Sequence, residues 1–84
     1  MKIIDWSSVP IGTLVRWSDS HKKNMASKSA RMRLGIFTDR AYFDSHYGVW
    51  PKVFFEGENF ANIVHPANVV PFRKNVKYKA KEVI

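Results

Sequence analysis

Apolar and polar residues alternate with a period of two along much of the chain, and stretches of helical period are scarce. After a turn at Gly12, Thr13-Leu14-Val15-Arg16-Trp17 reads as a strand, with Val15 and Trp17 on one face and Leu14 and Arg16 on the other. Leu34-Gly35-Ile36-Phe37-Thr38 reads as a second, which Asp39 to Phe43 either continues or leaves. Asp44 to Gly48 is a cluster of turn residues. Val49 to Glu56 is the clearest strand: Val49, Val53 and Phe55 share one face, and Trp50, Lys52, Phe54 and Glu56 the other. Pro51 has no N–H to donate, so it demands an edge position or a bulge. Glu56-Gly57-Glu58-Asn59 predicts a hairpin turn, with Gly57 at positive φ. Phe60 to Val64 returns as a strand, His65-Pro66-Ala67-Asn68 predicts a tight 3₁₀-like turn, and Val69 to Phe72 is a last short strand.

The rest is less regular. Residues 1–11 read as an irregular lead-in, since Pro10 excludes a central strand there. Residues 18–32 form a polar, basic connection long enough to suggest a functional or disordered loop, with room for a short helix over Met25–Met32 capped by Asn24. From Arg73 onward the chain fades into a basic tail, to which Val76, Tyr78 and Val83-Ile84 offer one more strand. Five short strands with one long early loop predict an all-β fold, a small antiparallel barrel, which shelters strand edges. Its expected core is Val15, Trp17, Leu34, Ile36, Val53, Phe55, Ile63, Val69 and Phe72.

The 84 residues make one domain, with the barrel core over about 11–72 and the basic tail over 73–84. A chain this short buries only roughly 60% of its unfolded surface. Cysteine is absent, which excludes a disulfide framework and a thiolate metal site. No apolar run is long enough for a membrane span or a signal peptide, so the expected setting is the cytoplasm, without a membrane partner.

Charge changes the picture most. The net charge is +7, from 14 Lys and Arg against 7 Asp and Glu. His21 to Arg33 carries Lys22, Lys23, Lys28, Arg31 and Arg33 with no acid. Arg73 to Lys81 carries Arg73, Lys74, Lys77, Lys79 and Lys81, also with no acid. A mildly acidic body thus bears two strongly basic appendages, and such concentrated charge attracts polyanions.

The segment Ile11-Gly12-Thr13-Leu14-Val15-Arg16-Trp17 resembles the opening strand of SH3-like small barrels of the KOW and Tudor kind. Leu34-Gly35-Ile36-Phe37 resembles their second strand, in which glycine precedes an inward aliphatic. Val49 to Phe55, Phe60 to Val64 and His65 to Val70 resemble the remaining strands with the 3₁₀ turn before the last. Short chains of this type occur among tailed-bacteriophage proteins, so the resemblance implies a small SH3-like barrel and, if the chain is phage-encoded, a place in the host cytoplasm. The loop between the first two strands is longer and more basic than the family's minimal pattern, and Pro51 interrupts the third strand. Spacing assembles no aromatic cage of the kind that reads methylated side chains.

Candidate chemistry is sparse. His21, His46 and His65 stand at no metal-ligand spacing, and His65, before Pro66, suits a structural hydrogen bond in a turn. Ser27 and Ser29 have no evident base, and the glycines fall in separate turns rather than in a phosphate-cradling loop. The expectation is therefore a non-enzymatic module without cofactor or metal, binding DNA or RNA through phosphate. Lys22, Lys23, Lys28, Arg31 and Arg33 would supply charge, extended by Arg73, Lys74, Lys77 and Lys79. Lys52 would hold phosphate between Trp50 and Phe54, a row that stacks bases, docks a protein partner, or forms a second small core under residues 1–9. The alternative is a protein-interaction module directed at an acidic protein surface, such as a phage-encoded host-factor inhibitor or a small virion component. The oligomeric state is open.

Overall fold

The computed structural model describes residues 2–44, 46–73 and 76–82. Lys74 and the Val83-Ile84 pair lie outside the described residues. The chain forms strands β1 (Lys2–Asp5) and β2 (Leu14–Trp17), short helices α1 (Asp19–Lys22) and α2 (Lys28–Arg31), then strands β3 (Leu34–Tyr42), β4 (Val49–Phe55), β5 (Asn62–Ile63), β6 (Val69–Pro71) and β7 (Lys79–Glu82). Two antiparallel sheets result. Five strands pair in the order β5-β4-β3-β2-β6, and β1 pairs with β7. Among the described residues no ladder joins β5 to β6, so the pairing leaves the expected barrel unclosed. The radius of gyration is 12.2 Å, close to the roughly 12 Å of a compact chain of this length.

The predicted strands form, with one inversion. Val15 pairs with Gly35, Gly35 with Phe55, and Phe37 with Val53. Gly35 and Phe37 therefore face the interior, and Ile36, expected in the core, is 47% exposed. The cause is Gly35: a Cβ there would stand 2.6 Å from Val53 Cγ1 and 2.8 Å from Phe55 Cδ1. Only glycine fits beneath those side chains, which places the larger Phe37 inward two residues on. Ile63, opposite Lys52 on the outer face, and Phe72, beyond the end of β6, are likewise exposed rather than buried. Val15, Val53, Phe55 and Val69 are buried as expected, while Trp17 and Leu34 are half-buried.

Trp6 and Val9 complete the core with Phe37. The lead-in expected to be irregular is strand β1 followed by a buried anchor: Trp6 meets Phe37 edge to face at 5.1 Å, and its Nε1–H donates to the Pro66 carbonyl at 3.1 Å. Pro51 lies inside β4 because its carbonyl accepts from Val64 N–H at 2.9 Å, on the β5 side. In an extended strand the N and O of one residue face the same neighbour, so the missing donor costs the β3–β4 ladder nothing. That ladder also carries an irregularity between Phe37 and Asp39. Gly57 turns the β4–β5 connection at φ +82, as predicted.

The long basic connection holds two short helices rather than one. Ser18 Oγ caps α1 by accepting from His21 N–H, and Ser27 Oγ caps α2 by accepting from Ala30 N–H. Asn24, the expected cap, instead donates its side-chain amide to the Ser20 carbonyl at 3.4 Å. Part of the tail folds back as β7, and Lys79 N–H donates to Ser8 Oγ at 2.8 Å. Among the described residues no helix is long and apolar enough to cross a membrane.

Candidate nucleic-acid interface

The basic connection leaves β2 at Ser18, whose N–H donates to the Asn68 carbonyl at 2.7 Å, and rejoins the sheet at Leu34. Lys22 ends α1 and Lys23 caps it; Lys28 and Arg31 open and close α2; Arg33 follows, exposed. Asp19 lies 3.2 Å from Arg16 and 3.8 Å from Lys22. Among the described residues Lys23, Lys28, Arg31 and Arg33 make no side-chain ion pair, nor do Arg73, Lys77 and Lys79 in the tail. These seven side chains are thus left available to a partner.

Two clefts share the 65–68 turn. A cleft of about 360 Å³ separates the α1–α2 connection from the sheet, with His65 and Asn68 in its wall. A second, of about 270 Å³, lies between the β1–β7 ribbon and the 66–70 segment, with Pro66 and Ala67 in its wall. The turn itself is held by Asn68 N–H donating to the His65 carbonyl at 2.9 Å and by Ala67 N–H donating to His65 Nδ1 at 3.0 Å. His65 therefore makes the structural hydrogen bond expected of it, with Nδ1 as acceptor.

The row Trp50, Lys52 and Phe54 is divided. Lys52 and Phe54 are exposed, the latter at 39%. Trp50 is half-buried in a ring cluster, with centroids 5.3 Å from Phe43, 6.2 Å from Tyr47 and 5.0 Å from His65. Phe43, Tyr47 and His65 pack on Trp50, whereas Trp6 belongs to the main core. Phe54 instead continues a cross-strand row with Ile36 and Leu14, which pair in register across β4, β3 and β2. A shallow hollow of about 270 Å³ opens beside that row.

The cleft under the basic connection contains residues that no local pattern marks. Trp17 stacks on Phe55 at 4.2 Å and 11°, and His21 on α1 lies 4.6 Å from the Trp17 ring. Asn62 donates to Glu58 Oε2 at 3.1 Å. These side chains come from β2, α1, β4, β5 and the turn before β5, so only folding assembles them. The i,i+4 spacing of Trp17 and His21 is the one trace in the sequence, and it is hidden because the chain changes from strand to helix between them. Among the described residues no group of three or more His, Cys, Asp or Glu side chains is placed to hold a metal ion.

Comparison with protein-family models, with curated proteins and with solved structures gives no match.

Proposed function

We propose that this chain is a non-enzymatic, SH3-like small-barrel module that binds nucleic acid, DNA or RNA, mainly through phosphate. Five antiparallel strands with one long early connection and short later ones support the SH3-like reading. The observation that carries the binding reading is the cation-rich connection over 21–33, in which Lys23, Lys28, Arg31 and Arg33 have no acid partner among the described residues. Flexible lysine and arginine side chains hold phosphate without reading bases. Arg73, Lys77 and Lys79 carry the second cationic stretch, and they too make no ion pair among the described residues. The module acts in the cytoplasm, the host's if the chain is phage-encoded, and needs no cofactor. Anisotropy titration of a labelled oligonucleotide at two salt concentrations tests this. Affinity falls with a log–log slope of about −0.9 per phosphate neutralised on duplex DNA, and absence of binding at low salt refutes the reading.

A second reading, a protein-interaction module such as a host-factor inhibitor or small virion component, is favoured by the cross-strand row of half-buried Leu14 with exposed Ile36 and Phe54. Isolated apolar residues on a surface are ordinary, but a contiguous row with a hollow beside it suits a partner. A stoichiometric complex that survives nuclease treatment and disappears with Phe54→Ser would select this reading.

A further inference from the structure

Building on the phosphate-binding reading, we infer that the cleft beneath the basic connection receives an unstacked nucleobase, so that the preferred ligand is single-stranded nucleic acid. At about 360 Å³ the cleft lies at the small end of ligand pockets, which run from about 300 to 1,000 Å³. Its floor is apolar and aromatic, formed by the stacked Trp17–Phe55 pair with Val64. Its wall offers neutral groups that both donate and accept. Asn62 gives one N–H to Glu58 and keeps its carbonyl oxygen and a second N–H. The Asn68 side-chain amide, also in the wall, makes no hydrogen bond among the described residues.

The distribution of charge selects a base over a bare anion. Glu58 in the wall offsets the charge of Arg33, so the cleft interior gives a bare phosphate no net attraction. Arg33 lines the same cleft, and Lys28 and Arg31 lie on α2 beside it. A nucleotide in a single strand has the matching layout: a flat neutral ring with donors and acceptors on its edge, attached to a chain of phosphates that stays outside. Asparagine amides pair naturally with such edges, and single strands are the form in which bases can be splayed into a pocket. A duplex keeps the same edges paired and stacked.

The test uses the full chain and three labelled ligands of equal length: a mixed-sequence single-stranded DNA, its duplex, and an abasic strand with the same phosphate spacing as the single strand. The single strand binds about tenfold or more tighter than the abasic strand, the scale of one well-held base, and tighter than the duplex. Ala30→Phe fills the cleft from α2 without altering charge; it removes that advantage and leaves the abasic affinity unchanged. Should Ala30→Phe fail to fold by circular dichroism, Asn62→Ala with Asn68→Ala takes its place, with the same expected result. Equal, salt-sensitive affinity for the single and abasic strands overturns the base pocket and leaves phosphate binding standing. Tighter binding of the duplex, or an advantage untouched by the variants, overturns the pocket as well. Absence of binding to every strand overturns both the pocket and the reading beneath it.

Discussion

Arg40, on β3, donates from Nε to the carbonyl of Trp6 at 3.0 Å, across 34 residues of sequence. The same guanidinium donates through Nη2 to the Val9 carbonyl and sits 5.3 Å from the centre of the Phe37 ring. One side chain therefore fastens the N-terminal segment to the strand whose phenylalanine that segment covers. A lone arginine between Asp39 and Ala41 looks like a solvated charge in the sequence; in the fold it closes the core.

Replacing Arg40 with alanine removes these charge-assisted hydrogen bonds and leaves two carbonyls to find water. The expected destabilisation is about 2 kcal/mol, the scale for hydrogen bonds to a charged group. Urea unfolding reads it as a lower midpoint with an unchanged slope. Arg40→Lys, with one head group for two carbonyls, recovers only part. A midpoint unmoved by Arg40→Ala would show that the N-terminal segment is held by Trp6 alone.

Neighbouring residues on β3 should differ sharply. Phe37 is fully buried against Trp6, and Phe37→Ala is expected to cost about 3–5 kcal/mol through a cavity the core cannot collapse. Ile36, nearly half exposed on the outer face, is expected to cost about 1 kcal/mol or less on the same change. Thermal or chemical denaturation of the two variants checks the facing of the strand directly, and the opposite ranking would reverse it.

Gly35→Ala is expected to destabilise by about 1–3 kcal/mol, the cost of overpacking a full core. The added methyl meets Val53 Cγ1 at 2.6 Å and Phe55 Cδ1 at 2.8 Å, and both side chains are themselves buried. Adding Val53→Ala opens space at the nearer of the two, so the double variant falls short of the sum of the singles. Additive effects in a double-mutant cycle would place the strain elsewhere.

Lys23 and Lys28 are exposed and make no ion pair among the described residues, so Lys23→Gln with Lys28→Gln should leave stability within about 0.5 kcal/mol. On duplex DNA the salt slope should become shallower by about 0.9 for each phosphate that these lysines no longer neutralise. Anisotropy titrations across a salt series measure the slope. An unchanged slope would remove these two lysines from the interface.

The strands between Leu14 and Pro71 were legible because alternation and turn residues mark them locally. The β4 facing followed from parity, and Gly57 from the demand of a tight turn for positive φ. Facing on β3 was not legible. Leu34-Gly35-Ile36-Phe37 offers apolar residues in both phases, and the choice depends on which strand lies across from Gly35. Trp50 misled in a similar way: its parity suggests an outer position, but Phe43, Tyr47 and His65 close over it from segments that parity does not describe.

The order of residues alone settled the all-β character and the separation of charge into two cationic stretches. Both depend on near neighbours, through side-chain alternation and Coulomb repulsion over short separations. Tertiary structure decided what lies far apart in the chain: Trp6 and Val9 as core residues, Arg40 as their fastening, and the cleft drawn from β2, α1, β4 and β5. Those relations arise from burial and from satisfying buried carbonyls. Burial is a property of the packed volume, and no window of local sequence contains it.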